Sequence, residues 1–162
     1  MNDPVLNQPP PLEGFNAYDA DPRLREAVAR AGAQWIEADA RSLGAFVGSA
    51  EAQSLAAAAN RNTPQLKTHD RYGRRIDFVE YDPSYHALMT RAFASGLHSL
   101  AWKRHDAGFS ARAVLFHLWN QLEQGTSCPV TMTFASVAML EHAPEVDRRW
   151  RGCILADAYD PR

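Results

Sequence analysis

Apolar residues recur in this chain at three- and four-residue spacing, and that period limits the possible folds more than any other feature. It is clearest between Ser110 and Gln124, where Val114, Leu115, Leu118 and Leu122 fall on one side and Gly125 supplies a stop. Asp21-Pro22 offers an N-cap followed by proline at the first helical position, and Leu24, Ala27, Val28 and Ala31 follow before Gly32. Trp35, Ile36, Ala40, Leu43 and Val47 predict a second helix closing near Gly48. Ser49 caps a third, which runs through an alanine-rich stretch to Asn60 and breaks at Asn62-Thr63-Pro64. Asp82-Pro83 restarts a helix whose stripe is Tyr85, Leu88, Met89, Ala92 and Phe93. Leu97 to Trp102 reads as a further short helix, and a loop through Cys128-Pro129 leads to another from about Phe134 to Glu141. The expected architecture is one mainly helical domain.

Two stretches depart from that period. Residues 1–20 lack it and carry four prolines before Gly14 (Pro4, Pro9, Pro10 and Pro11), so an extended arm is expected there. Arg71-Tyr72-Gly73-Arg74 is a turn signal, and Ile76, Phe78, Val79 and Tyr81 after it are good strand formers, which predicts a short β-hairpin near 66–81. Its alternation is imperfect, because Glu80 falls on the face of Ile76 and Phe78. The segment from Leu155 to Arg162 has little periodicity.

Charge and composition exclude several function classes. Seventeen Lys and Arg against nineteen Asp and Glu leave a net charge of −2, which offers no global field for nucleic acid or an anionic membrane. The longest uncharged stretch, Gln124 to Leu140, contains Pro129 and several hydroxyl residues and is a poor membrane span. No basic start or apolar run suggests secretion, and two cysteines, Cys128 and Cys153, make neither a disulfide framework nor a zinc cluster, so a cytoplasmic setting is expected. The dinucleotide, P-loop, zinc-protease and nucleophile-elbow signatures do not occur. His98, His105 and His117 are spaced by seven and twelve rather than the three or four that two ligands on one helix require, so no metal site is expected. Cys128, beside a proline at a helix mouth, reads as a partly buried, inert thiol.

Two arginine clusters, Arg71/Arg74/Arg75 on the hairpin turn and Arg148/Arg149/Arg151 around Trp150, have the chemistry to hold phosphate, with Trp150 able to stack on a base. Asp70, Asp77, Asp147 and Asp157 nearby oppose that field and favour solvated arginines. Thr131-Met132-Thr133-Phe134 places two hydroxyls and a thioether where a proline loop meets a helix, either as a pocket wall or as core.

Several blocks, taken in order, carry a resemblance. They are Asn7-Gln8-Pro9-Pro10-Pro11-Leu12, Gly32-Ala33-Gln34-Trp35, Gly73-Arg74-Arg75-Ile76-Asp77, Pro83-Ser84-Tyr85-His86-Ala87-Leu88-Met89 and His98-Ser99-Leu100-Ala101-Trp102. The most specific is Cys128-Pro129-Val130-Thr131-Met132-Thr133-Phe134-Ala135. From about Asn7 to Asp160 the chain resembles the N-terminal part of the AidB-like branch of the acyl-CoA dehydrogenase superfamily, the adaptive (alkylation-response) flavoproteins.

The resemblance implies a mainly α fold: a helical acyl-CoA dehydrogenase N-terminal domain over 21–162, with the arm at 1–20 and the hairpin near 66–81. In that family a central β domain and a C-terminal four-helix bundle follow, FAD lies between them, and a bundle glutamate removes the proton α to the thioester. The family also implies homo-tetramers and binding of double-stranded DNA through the C-terminal region, and no membrane partner. The Met-Thr-Glu and Gly-Gly-Ser-Asp flavin segment would begin beyond Arg162, so no catalytic or FAD-binding residue carries over. Glu123 and Glu141 lie on expected helices, but neither matches the catalytic position. Thr131, Met132 and Thr133 gain a role as candidate walls of the substrate channel. The expected function is therefore the N-terminal domain of an FAD-dependent acyl-CoA dehydrogenase-like protein, joined to the remaining domains of its parent. The alternative is a free-standing helical interaction module without flavin chemistry. A DNA surface on this part of the chain is disfavoured by its net charge.

Overall fold

The computed structural model describes residues 7–161. Among them lie eight α-helices and one two-stranded antiparallel sheet: α1 (Pro22–Arg30), α2 (Glu37–Val47), α3 (Ala50–Arg61), β1 (Gln65–His69), β2 (Arg75–Glu80), α4 (Pro83–Ala94), α5 (Leu100–Lys103), α6 (Gly108–Asn120), α7 (Ser127–Leu140) and α8 (Pro144–Ile154). The fold is the mainly helical one expected, with its single hairpin.

The capping residues set the starts. Asp21 Oδ1 accepts hydrogen bonds from the Arg23 and Leu24 N–H groups, both at 3.0 Å, and Pro22 needs no N–H partner at the first position. Ser49 Oγ accepts from Ala52 N at 3.1 Å, and Asp82 Oδ1 from Ser84 N at 2.8 Å. That bond to Ser84, with help from the Asn62 amide, holds the Asp82 carboxyl below its ordinary range. α6 is the central element, packing on α1, α2 and α5, while α3 lies on α4 and α7 on α8. The core gathers Val28, Ile36, Leu43, Val47, Leu88, Leu97, Leu115, Leu118, Trp119 and Val130, all at or near zero exposure.

Several expectations are corrected. The helix expected from Trp35 begins as a 3-10 turn (Gln34–Ile36) before α2. The short helix near Leu97 is only α5, because Gly96, at φ +68°, makes 96–99 a buried turn. α6 runs from Gly108 to Asn120, earlier at both ends than expected. The loop at Cys128-Pro129 is the first turn of α7, since proline costs nothing where no N–H is needed. α8 was not expected: Val146, Trp150 and Ile154 recur in it at four-residue spacing, but that short stripe is set among Arg148, Arg149 and Arg151, and the structure buries none of it. Pro4 of the proposed arm lies outside the described residues; residues 8–13 have no regular structure. Residues 14–18 instead fold onto α2, with Gly14 N bonded to Gly48 O (2.7 Å), Ala17 N to Gly44 O (3.0 Å) and Tyr18 fully buried. A Cβ at Gly44 would stand 2.6 Å from Tyr18 N, and one at Gly48 2.0 Å from Phe15 O, so both glycines are required by this close approach.

The hairpin pairs Leu66 with Val79 and Lys67 with Phe78, then His69 with Arg75. Ile76 and Asp77 together face Thr68, and Asp77 takes φ +45°, which is a bulge; Phe78 to Glu80 pair regularly beyond it, and Glu80 shares the face of Phe78 because neither face of the strand is buried. Every residue of both strands is exposed, including Leu66, Ile76, Phe78 and Val79.

Candidate functional site: helix α7

α7 carries no charged side chain from Ser127 to Leu140. Its start is locked from below. The buried Trp119 indole donates from Nε1 to Thr126 Oγ1 at 2.9 Å, and Ser127 Oγ donates to Asn120 Oδ1 at 2.8 Å. The Glu123 carboxylate, 5% exposed, accepts from the N–H groups of Gly125 and Thr126, each at 2.6 Å. Glu123 thus lies in the turn after α6 and supplies the negative charge that a helix N-terminus favours. Glu141 is the exposed C-cap of α7. Neither carboxylate is placed as a base.

Only Ser127, Val130 and Val137 of α7 are buried. Thr131 and Met132 face outward, Met132 at 67% and Met139 at 72% exposure. Thr133 is half-buried and donates from Oγ1 to the Pro129 carbonyl at 2.8 Å, so its hydroxyl proton is committed to its own helix. Thr131, Met132 and Thr133 therefore share one turn of helix, with two of the three open to solvent. The apolar exposure of Met132 and Met139 on an uncharged helix is the pattern of a surface that meets another apolar surface.

Beside α7 lies an aromatic corner that sequence reasoning missed. Trp102 donates from Nε1 to the Phe134 carbonyl at 2.9 Å, and Phe109 packs edge-on against both Trp102 (5.5 Å) and Phe134 (5.9 Å). Arg112 lays its guanidinium 3.7 Å from the Phe134 ring centre and 4.7 Å from that of Phe116, while its Nε donates to Leu97 O. Burial lowers the Arg112 pKa, leaving it still a cation. No local signal could have joined these residues, which are separated by up to 32 positions.

The other candidates do not converge. His98 is buried, whereas His105 and His117 are exposed, His117 standing 3.8 Å from Asp21. Among the described residues no three His, Cys, Asp or Glu side chains are close enough to hold a metal ion. Cys128 is exposed rather than partly buried, because position 128 sits on the outward side of the first turn of α7; Cys153 is exposed too. The arginines divide: Arg75 pairs with Asp77 (2.7 Å) and Arg151 with Asp147 (2.7 Å). Arg71 and Arg74 instead flank Tyr72, and Arg149 lies over Trp150. Asp70 accepts from the backbone of Tyr72 and Arg74, not from a guanidinium, and Asp157 pairs with Lys103. Among the described residues no helix is long and apolar enough to cross a membrane.

The sequence model of the adaptive response protein AidB N-terminal domain matches residues 7–161. The chain belongs to the AidB N-terminal domain family. It is 41% identical over 159 residues to "Putative acyl-CoA dehydrogenase AidB" of Escherichia coli (strain K12), covering 96% of this chain and 29% of that protein. Two solved structures share the fold. One is the apo form of Bd2924, at TM-score 0.83 and 21% identity over 90% of this chain and 30% of that one. The other is Caenorhabditis elegans ACDH-11 in complex with C11-CoA, at TM-score 0.80 and 18% identity over 98% of this chain and 29% of that one. The chain thus spans less than a third of the length of these relatives, and it is the AidB N-terminal domain of an acyl-CoA dehydrogenase-like protein.

Proposed function

We propose that this domain walls the acyl and flavin pocket of an FAD-dependent acyl-CoA dehydrogenase-like protein of the DNA-alkylation adaptive response, and that it supports packing of the subunits into a tetramer. The observation that carries the reading is the outward face of α7, where Thr131 and Met132 stand exposed on a helix without charge. Such a face costs hydration free energy while bare, and an abutting apolar surface removes that cost. The E. coli relative, more than three times longer, supplies the kind of chain in which further domains would cover it.

The residues present do not themselves make a flavin site. The N-terminus of α7 is the natural seat for a diphosphate, and the Glu123 carboxylate already occupies it, with both of its oxygens bonded to backbone N–H groups. FAD is accordingly assigned to the parent protein, where it supplies hydride acceptance, and DNA contact to regions outside this chain. Thr131 and Met132 shape the wall and exclude water, while Thr133 braces the helix.

Met132→Arg in the intact parent protein tests this. Because Met132 is exposed here, the substitution should leave the domain's own melting unchanged while loosening flavin retention and binding of a long-chain acyl-CoA. Unchanged flavin content and acyl-CoA affinity would refute the placement.

The bare hairpin favours a second reading, a helical interaction module. Leu66 and Phe78, at 63% and 54% exposure, lie on a two-stranded sheet that is only marginally stable alone. Under that reading, Phe78→Ser abolishes partner binding and leaves flavin content of the parent intact.

A further inference from the structure

The segment that follows α8 has neither helix nor strand beyond its first turn, yet it is fastened at three points to α4, to α5 and to the turn between them. His98, fully buried, places Nε2 2.9 Å from the Ala156 carbonyl. A carbonyl only accepts, so Nε2 carries the proton and Nδ1 of the neutral ring is bare. Nδ1 is buried and has no partner, and the ring lies 4.1 Å from that of Phe93. Next along the segment, Asp157 Oδ1 accepts from Ser99 Oγ at 2.8 Å and from Lys103 Nζ at 2.6 Å. Tyr159 then packs against the rings of Phe93 (5.7 Å) and His86 (5.8 Å), its hydroxyl 3.0 Å from His86 Nδ1.

We propose that residues 155–160 form a strap held in place by neutral His98 and released when that ring takes up a proton. A second proton must go to Nδ1, where it would be a buried N–H without an acceptor, an unfavourable state for the docked strap. The charged groups facing the ring are Asp157 on the strap, which favours the cation, and Lys103 on α5 and Arg112 on α6, which oppose it. Burial is the largest influence and lowers the His98 pKa below its ordinary value, despite the Ala156 hydrogen bond and Asp157 acting the other way. The docked strap is therefore fully favoured above the ordinary histidine range and weakens as pH falls below it. Burial raises the Asp157 pKa, but the hydrogen bonds from Lys103 and Ser99 outweigh it and leave that carboxyl below its ordinary value. Asp157 thus keeps its charge down to the ordinary carboxylate range.

Release would change two cavities at once. Asp157 closes one side of a polar cleft of about 310 Å³ shared with Ser42, Arg91, Ser99 and Lys103. Tyr159 and Asp160 close a groove of about 430 Å³ against Ile76, Phe78 and Tyr81 of the hairpin. The strap thus meters how much apolar hairpin surface is open, and His98 sets its state.

The test is NMR on the full 162-residue chain between about pH 7.5 and pH 5, following NOEs from the Tyr159 ring to Phe93 and the tautomer and titration of His98. The Tyr159–Phe93 NOEs should fade at the acid end, in step with a His98 midpoint below the ordinary 6.5 and with Nε2 protonated at neutral pH. His98→Gln offers a donor near the same place without titrating, so its NOEs should persist to the acid end; His86→Gln should leave the wild-type pH response in place. NOEs that survive in wild type at the acid end overturn the proposal, as does a pH response that His86→Gln removes. If His98→Gln fails to fold, the wild-type titration decides: a midpoint at or above 6.5, or strap loss out of step with it, overturns the proposal equally.

Discussion

Glu123 resembles a catalytic carboxylate by burial and sits beside the candidate face, but the geometry makes it the cap of α7. Removing it should therefore be expensive in stability. In Glu123→Ala the N–H of Thr126, within a fully buried residue, loses its partner, which costs about 2 kcal/mol, the middle of the usual range for a buried unsatisfied donor. The N–H of Gly125, an exposed residue, can bind water instead, so losing its charged acceptor costs about 1 kcal/mol. The sum is about 3 kcal/mol. Glu123→Gln keeps one acceptor oxygen but turns an amide donor toward the second N–H, so about half of the loss, roughly 1.5 kcal/mol, should remain. Urea unfolding of the chain measures both, as shifts in midpoint at unchanged slope. For a domain of this size a loss of 3 kcal/mol lowers the melting temperature by about 6–12 °C. An alanine variant within about 0.5 kcal/mol of wild type would refute the capping role, as would a glutamine variant as damaging as alanine.

Other outcomes follow from the same geometry. Leu118→Ala, at zero exposure, should cost about 3 kcal/mol, and Trp102→Ala somewhat less because that ring is only half-buried; calorimetry reads both, and a near-neutral Leu118→Ala would mean the stripe faces the wrong way. Gly48→Ala forces a Cβ to within 2.0 Å of the Phe15 carbonyl, so it should cost about 3 kcal/mol or more and expose residues 14–18 to protease, whereas intact protection would show that the segment docks otherwise. The purified chain should carry no stoichiometric flavin, and a flavin absorbance matching the protein concentration would refute the assignment of FAD to the parent alone. Replacing Arg148, Arg149 and Arg151 together in the parent should leave duplex DNA affinity and its salt slope unchanged; a clear loss would move the DNA surface onto α8.

Elements whose determinants are local were legible in the sequence. Asp21-Pro22, Ser49 and Asp82-Pro83 start helices because the side chain that satisfies the free N–H groups lies two or three positions before them. The hairpin showed through its strand formers and the turn at Gly73, which adopts φ +78°. Elements whose local signature is short or misleading were lost. α8 has a stripe in Val146, Trp150 and Ile154, but it is brief, set among arginines, and buries nothing. Pro129 reads as a breaker until it is known to lie in a first turn, and that depends on Glu123 and Thr126 locking the helix start. Gly44 and Gly48 admit Phe15 to Tyr18 only because two segments some thirty residues apart meet there. The candidate face was half visible. Thr131 to Thr133 stood out through the family-like block, yet which of them faces outward required the helix phase. The corner of Trp102, Phe109, Arg112 and Phe134 is purely tertiary, and no spacing rule could have assembled it.

The central claim is that the uncharged face of α7 is covered in the intact protein. Methionine oxidation by dilute peroxide, mapped by mass spectrometry, reads it directly. In the isolated chain Met132 and Met139 should oxidise readily while Met89, at 4% exposure, resists and serves as the internal control. In the intact parent protein Met132 should become as resistant as Met89. Equal, rapid oxidation of Met132 in both would contradict the account.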